Sequence, residues 1–450
     1  MEELIQKYNV PGPRYTSYPT VPYWNEDKFS YDRWQDTLKH SADPDEPISL
    51  YIHLPFCESL CTFCACNKRI TKQHSVEKPY IKALLKEFDL YIALYGYKPT
   101  IKDIHFGGGT PTFFSPKNLS KLLTGILERA FISEDASFSF EGHPNNTTYE
   151  HLKVLKDFNF DRVSYGIQDY NPSVQTAINR VQSFENVKYV TETARDLGYK
   201  SVGHDLIYGL PLQSVEHILN TIEKTIELKP DRIAFYSYAH TPWIKGNGQR
   251  GFKDSDLPDP DTKRLQYELG KQILEENGYQ EVGMDHFALA EDVLFQAMEN
   301  KTLHRNFMGY TTKQTSHLIG LGVSAISDVW YGFAQNEKKL EDYYKRLSEN
   351  KIPVFRGHIL TVEDLEIRKH ILNLMTKFET DLSKTCLSHK CLDMIHQKLE
   401  TFIDDDLIDI ENYKVKVKPK AKAFIRNICM AFDLRMLRNK PETKLFSMTI

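Results

Sequence analysis

Four of the chain's seven cysteines fall in one short stretch, CESLCTFCAC, from Cys57 to Cys66. Zinc ribbons present two CxxC pairs across a longer spacer, and no second pair exists here. A structural zinc site would have to recruit a distant ligand such as Cys386 or Cys391. Cys57, Cys61 and Cys64 keep a CxxxCxxC spacing that suits a different purpose. A 4Fe-4S cluster has four irons, so three thiolates from one short loop leave one iron open to bind a substrate or cofactor directly. Cys66 lies just outside that spacing. Farther on, GGGTPT (Gly107–Thr112) is either a tight strand-to-helix turn or a backbone surface that a ligand approaches closely.

Residues of this kind need a frame, and the flanking sequence supplies one. β-type runs alternate with helical stretches, as in βα units around a parallel sheet. The runs are ISLYIHL (48–54), IKDIHF (101–106), SFSFEG (137–142), DRVSYGIQ (161–168), SVGHDLIYG (201–209) and DRIAFYSYA (231–239). That makes six units, fewer than the eight of a closed TIM barrel. The unusual polar residues fall at the C-terminal ends of these runs: Cys57, Gly107–Thr110, Glu141, Gln168, Asp205, and Tyr238 to His240. That rim is where parallel barrels build active sites. YQEVGMDHFA (279–288) suggests an added edge strand. The expected organisation is a Pro- and Tyr-rich N-terminal arm over 1–45, extended and packed on the main domain. A catalytic domain over 46–340 and a mainly helical C-terminal domain over 341–450 follow, the last with a hairpin in LIDIENYKVKVKP before its final helix.

Composition narrows the class. The chain has 450 residues, 41% hydrophobic and 26% charged, as in a globular protein. Neither a secretory signal nor an apolar run long enough to span a membrane is visible, so a cytoplasmic protein is expected. A net charge of −4 argues against a general nucleic-acid binder. The basic strip VKVKPKAKA is read as a solvated face.

The cysteine loop resembles the signature of radical S-adenosylmethionine enzymes. The further motifs YIHLPFCESLCTFCACNK, HFGGGTPT, GIQDYNPSVQTAINR, DLIYGLP, YAHTP, GMDHFA, HRNFMGYTT and LGVSAIS resemble the oxygen-independent coproporphyrinogen III oxidase family. RYTSYPT near the start and IRNICMAFD near the end extend the likeness over essentially the whole chain. The resemblance implies a partial (β/α)6 radical-SAM barrel of α/β class. It implies a 4Fe-4S cluster on Cys57, Cys61 and Cys64, and S-adenosylmethionine at two places. Tyr51, Gly108, Glu141 and Ile326 would contact the first molecule. Phe63, Gly109, Thr110, Gln168, Arg180, Asp205 and Ala239 would contact the second. It further implies conversion of two propionates of coproporphyrinogen III to vinyl groups, giving protoporphyrinogen IX in haem biosynthesis. A reductant protein, an unidentified electron acceptor and a monomeric state complete the expectation.

Two departures from the family pattern stand out. Gly142, His143 and Pro144 follow Glu141 where valine, aspartate and proline are usual, and Met308 stands where glutamine is common. His143, His286 and His304 are read as packing residues. Arg14 and Tyr15 on the arm are candidates to meet the substrate's carboxylates. Cys66 is read as a candidate catalytic thiol rather than a ligand, because a fourth thiolate would close the iron that S-adenosylmethionine needs. A haem chaperone of the same superfamily is the nearest rival, but those relatives lack RYTSYPT and HRNF-GYTT. A radical methyltransferase or cyclopropanase is a further alternative.

Overall fold

The computed structural model describes residues 2–24, 29–243, 248–249, 251–441, 443 and 445–449. Six parallel strands form its centre: β1 (Ile48–Leu54), β2 (Thr100–Gly108), β3 (Phe131–Gly142), β4 (Phe160–Gln168), β5 (Ser201–Tyr208) and β6 (Arg232–Ser237). These are the six runs expected. Helices return the chain between them, and their buried faces explain why they form. Leu119, Leu122, Leu123 and Ile126 of the helix Pro116–Arg129 point inward at helical spacing. Thr148 and Ser214 start their helices with capping boxes completed by His151 and His217.

The sheet continues beyond the six units on both sides. The segment expected as one edge strand is a hairpin, β7 (Gln280–Gly283) and β8 (His286–Ala288), with β8 antiparallel to β6. On the other side stand β9 (Leu318–Leu321), β10 (Ile326–Asp328), β11 (Gly332–Asn336) and β12 (Val354–Ile359). The full order is β12-β11-β10-β9-β1-β2-β3-β4-β5-β6-β8-β7. The boundary expected at 340 therefore falls inside the sheet, which strand pairing carries to Ile359.

Two large apolar cores separate the remainder. One lies between the parallel sheet and its helices; the other gathers Ile371, Leu374, Ile395, Leu399, Phe424 and Ile428 in the C-terminal helices. A small antiparallel sheet, Glu379–Asp381, Lys414–Val417 and Ile408–Glu411, covers the second and contains the expected hairpin. The N-terminal arm corrects its expectation. It includes helices Glu2–Tyr8 and Tyr31–Ser41. Only the second of these, through Trp34 and Leu38, packs on the barrel core. Tyr8, Tyr15 and Tyr18 instead fill the C-terminal core, burying their rings among its helices.

Candidate active site

The cysteine loop follows β1 directly. It is held by backbone and side-chain bonds to the segment after β4: Thr62 donates its N–H to the Ile178 carbonyl (2.9 Å) and its hydroxyl to that of Ala177 (2.9 Å). Asn179 donates to the Leu60 carbonyl at 2.7 Å. Lys68 donates to the carbonyls of Cys64 (3.0 Å) and Cys66 (3.2 Å), closing the loop on itself.

Cys57, Cys61, Cys64 and Cys66, all free thiols, line a cavity of about 410 Å³. Phe63, Gly108, Gly109, Thr110, Glu141, Gln168, Arg180 and Asp205 complete the part of its wall that the sequence had singled out. His143, unexpectedly, lines it as well. Three expected residues do not line it. Tyr51 lies behind Gly107, its hydroxyl on His53 Nδ1 at 3.1 Å and its ring stacked on His105. Ala239 abuts the wall through Gln249, whose Nε2 donates to the carbonyls of both Phe63 and Ala239 (3.0 Å each). Ile326, on β10, packs near Trp24, Phe333 and Leu360.

The glycine turn is built for close approach. Gly108 has φ +112°, and a Cβ on Gly109 would stand 2.6 Å from the Pro55 carbonyl carbon. The Gly108 N–H is thereby aimed at Glu141 Oε2, 3.3 Å away. Burial raises the Glu141 carboxyl, but His105 beside Oε1 (3.5 Å) and the Gly108 N–H outweigh it and hold the group below its ordinary value. Asp205 behaves oppositely. Desolvation leads and the Glu141 charge adds to it, so the carboxyl is pushed up to about 7 despite a 2.7 Å bond from Ser164. His143 is pushed down to about 3 by burial and by Arg180.

Gln168 ends β4 in the left-handed region at φ +68°, where a bulge interrupts the β4–β5 register. Its Oε1 is buried without a partner, as is Nε of Arg180. Such strain and unpaired polarity, held at one rim, mark a place shaped for something other than folding.

The thiols themselves suit an iron–sulfur cluster. Thr110 donates its hydroxyl toward Cys57 Sγ (3.4 Å) and Arg180 its Nη1 toward Cys61 Sγ (3.8 Å). A thiol bond from Cys66 leads the effects that hold Cys64 down to about 6, while burial pushes Cys57 up to about 11. Among the described residues no three His, Cys, Asp or Glu side chains are gathered tightly enough for a single metal ion.

Sequence reasoning missed the layer beneath the rim. His105, Ser139, Arg162, Ser164 and Gly203 alternate with buried apolar residues and line a polar hollow of about 160 Å³ inside the sheet, bordered by Glu141 and Asp205. Their period of two was the available signal. Lys68, on a loop, left none.

Comparison with known proteins agrees with this geometry. Residues 51–225 match the Radical SAM superfamily. The oxygen-independent coproporphyrinogen III oxidase of Escherichia coli K12 is 39% identical, with 99% of this chain and 98% of that protein aligned. The Pseudomonas aeruginosa enzyme is 36% identical over 96% of this chain and 95% of its own. The solved structure of coproporphyrinogen III oxidase from Escherichia coli superposes with a TM-score of 0.90 at 36% identity, covering 96% of this chain and 98% of that one. A thiol-lined cavity at the strand ends, within a likeness that runs almost end to end, places the chain in the oxygen-independent coproporphyrinogen III oxidase family.

Proposed function

We infer that the chain decarboxylates two propionate side chains of coproporphyrinogen III oxidatively to vinyl groups, giving protoporphyrinogen IX without oxygen. The observation that carries this reading is the open cavity at the strand ends, lined by four thiols, three of them in the CxxxCxxC spacing, in a chain alike to its relatives over nearly its full length. In the reaction each propionate gives up a hydrogen atom from its β-carbon. The bond to the carboxylate then breaks, carbon dioxide leaves, and one further electron departs as the double bond forms.

Cys57, Cys61 and Cys64 would hold the 4Fe-4S cluster, and the cavity beside them S-adenosylmethionine. When bound, these groups supply an electron and the carbon-centred radical that removes the hydrogen atom. The protein's own part is orientation and exclusion of water. The Gly108 backbone and Glu141, both on the cavity wall, would meet one S-adenosylmethionine, Glu141 remaining ionised to meet an ammonium group. Tyr51, behind Gly107, and Ile326, beside the adenine, are assigned to the same molecule on the family resemblance. Phe63, Gly109, Thr110, Gln168, Arg180, Asp205 and Ala239 suit a second. The unpaired Oε1 of Gln168 and Nε of Arg180 support that assignment, since both atoms lack a protein partner. Cys66, exposed beside Cys64, would face the reacting groups without closing the cluster.

The proposal extends to the setting: a monomer in the cytoplasm, fed by a reductant protein and relieved by an electron acceptor. No helix among the described residues is long and apolar enough to cross a membrane. Within the chain we assign catalysis to the barrel, with the arm and C-terminal helices flanking it. The test is anaerobic reconstitution with iron and sulfide, followed by reductant, S-adenosylmethionine and coproporphyrinogen III. Vinyl-bearing product with 5′-deoxyadenosine is expected. Tight, stoichiometric haem binding without turnover would overturn the reading in favour of a haem carrier.

A further inference from the structure

Away from the thiols, positive charge accumulates where residues 12–14 cross from the barrel rim to the C-terminal domain. Arg14 donates to Asp285 (2.9 Å) and to the Ser237 carbonyl (3.2 Å), with its guanidinium over the Tyr236 ring. Lys263, from the helix Pro260–Glu276, donates to the next carbonyl, that of Tyr238, at 3.2 Å. Arg305 donates to the Arg14 carbonyl (3.2 Å) and lies 4.4 Å over Tyr310. Arg426 donates to the carbonyls of Gly12 and Pro13.

Carbonyl bonds orient these cations without neutralising them. Among the described residues, the only carboxylate paired with any of the four is Asp285. Burial of unbalanced charge is expensive, and its effect is visible. Lys263 is pushed down to about 8 by burial and by the charges of Arg14 and Arg426. Arg426 is pushed down to about 9 by burial and Arg14. A second observation is independent of charge counting. Arg305 is 5% exposed, and its Nε and Nη1 have no partner. Pinning the arm accounts for the carbonyl bonds, but neither for the surplus charge nor for the two idle N–H groups.

We propose that this cluster seats a carboxylate of the substrate, with Arg14 and Lys263 at its accessible edge and Arg305 behind them. The inference rests on the porphyrinogen reading above and deepens it by saying where a propionate is held. Position favours it. Ser237 ends β6, Tyr238 and Ala239 follow at once, and Tyr236 lines the polar hollow that also borders Asp205 and Glu141. A tetracarboxylate anchored here lays its macrocycle against Tyr236, beside the cofactor cavity.

The experiment uses coproporphyrin III, the fluorescent oxidised analogue with the same four carboxylates, titrated into the reconstituted full-length protein. Lys263→Met keeps the aliphatic stem and removes the charge. Its affinity for coproporphyrin III should fall about tenfold or more, Lys263→Arg should restore it, and S-adenosylmethionine binding should not change. The tetramethyl ester should bind wild type and variant alike. Should Lys263→Met fail to fold, Arg14→Gln decides by the same comparison. Unchanged affinity for the acid, or an equal loss for the ester, overturns the carboxylate seat alone. If wild type binds no coproporphyrin III, the porphyrinogen reading falls with it.

Discussion

The two ends of the parallel barrel enclose hollows of nearly equal size and opposite character. At the N-terminal ends of the strands, a hollow of about 400 Å³ is lined by six acids and three bases, and ion pairs run through it and the layer beside it. Arg232 pairs with Asp292 at 2.7 Å, Arg162 with Asp103 at 3.4 Å, Lys200 with Asp161 at 3.2 Å and Lys313 with Asp135 at 3.2 Å. At the C-terminal ends the hollow of about 410 Å³ holds buried polar atoms that no protein group meets. Arg180 has no carboxylate at ion-pair distance among the described residues, Gln168 Oε1 is idle, and the thiols are free. On the proposed reading, ion pairs at the first end hold the barrel together and the unpartnered atoms at the second meet ligands. Substitutions at the first should therefore register in stability, and at the second in cofactor content and turnover.

The largest effect belongs to the thiols. Cys57→Ala should abolish the cluster, so that iron per chain after anaerobic reconstitution falls to background and no product forms. Retention of iron would move the ligand set elsewhere. Next comes the opposite end. Arg232→Ala strips the charge partner from Asp292, whose side chain is 2% exposed, and should destabilise the fold by about 3 kcal/mol. Urea unfolding measures this, and the folded fraction should still bind S-adenosylmethionine normally.

Asp205 tests the comparison through pH. Its folded value is raised to about 7 from 3.8, so the fold holds that proton more tightly than the unfolded chain does. The corresponding stability is fully present below the ordinary carboxylate range and is lost as pH rises toward 7. Asp205→Asn, neutral throughout, should gain melting temperature over wild type between about pH 4 and pH 7 in the cofactor-free protein. A difference that is flat with pH would contradict the account. The smallest effect is expected of Cys66→Ser, which should leave iron content and the cluster's absorption spectrum intact while slowing turnover. Cluster loss in that variant would make Cys66 a ligand.

The same division explains what could be read in advance. The strand spans were legible because apolar runs end abruptly in Cys57, Gly107–Gly109 and Gln168, residues that mark boundaries by chemistry as well as by pattern. Six extra residues at the start of β3 were not, because Phe131–Ala136 is largely exposed and joins β2 across a register shift. The antiparallel extension was hidden for another reason. LIGL of β9 and GFAQN of β11 are short and buried on both faces, so they carry no alternation. The arm's destination depended on partners some 400 residues away, such as Asp433 accepting from Tyr15 at 3.1 Å. Within the site, Tyr51, Ala239 and Ile326 fall outside the cavity wall that the other expected residues share, a separation that no local pattern announces.

The central claim is that the unmatched groups at the C-terminal rim belong to two cofactor molecules. Equilibrium dialysis of the cluster-loaded protein with labelled S-adenosylmethionine tests it most directly. Two molecules bound per cluster are predicted, falling to one in Arg180→Ala with iron content unchanged. A single molecule per cluster in the wild-type protein, insensitive to Arg180→Ala, would contradict the account.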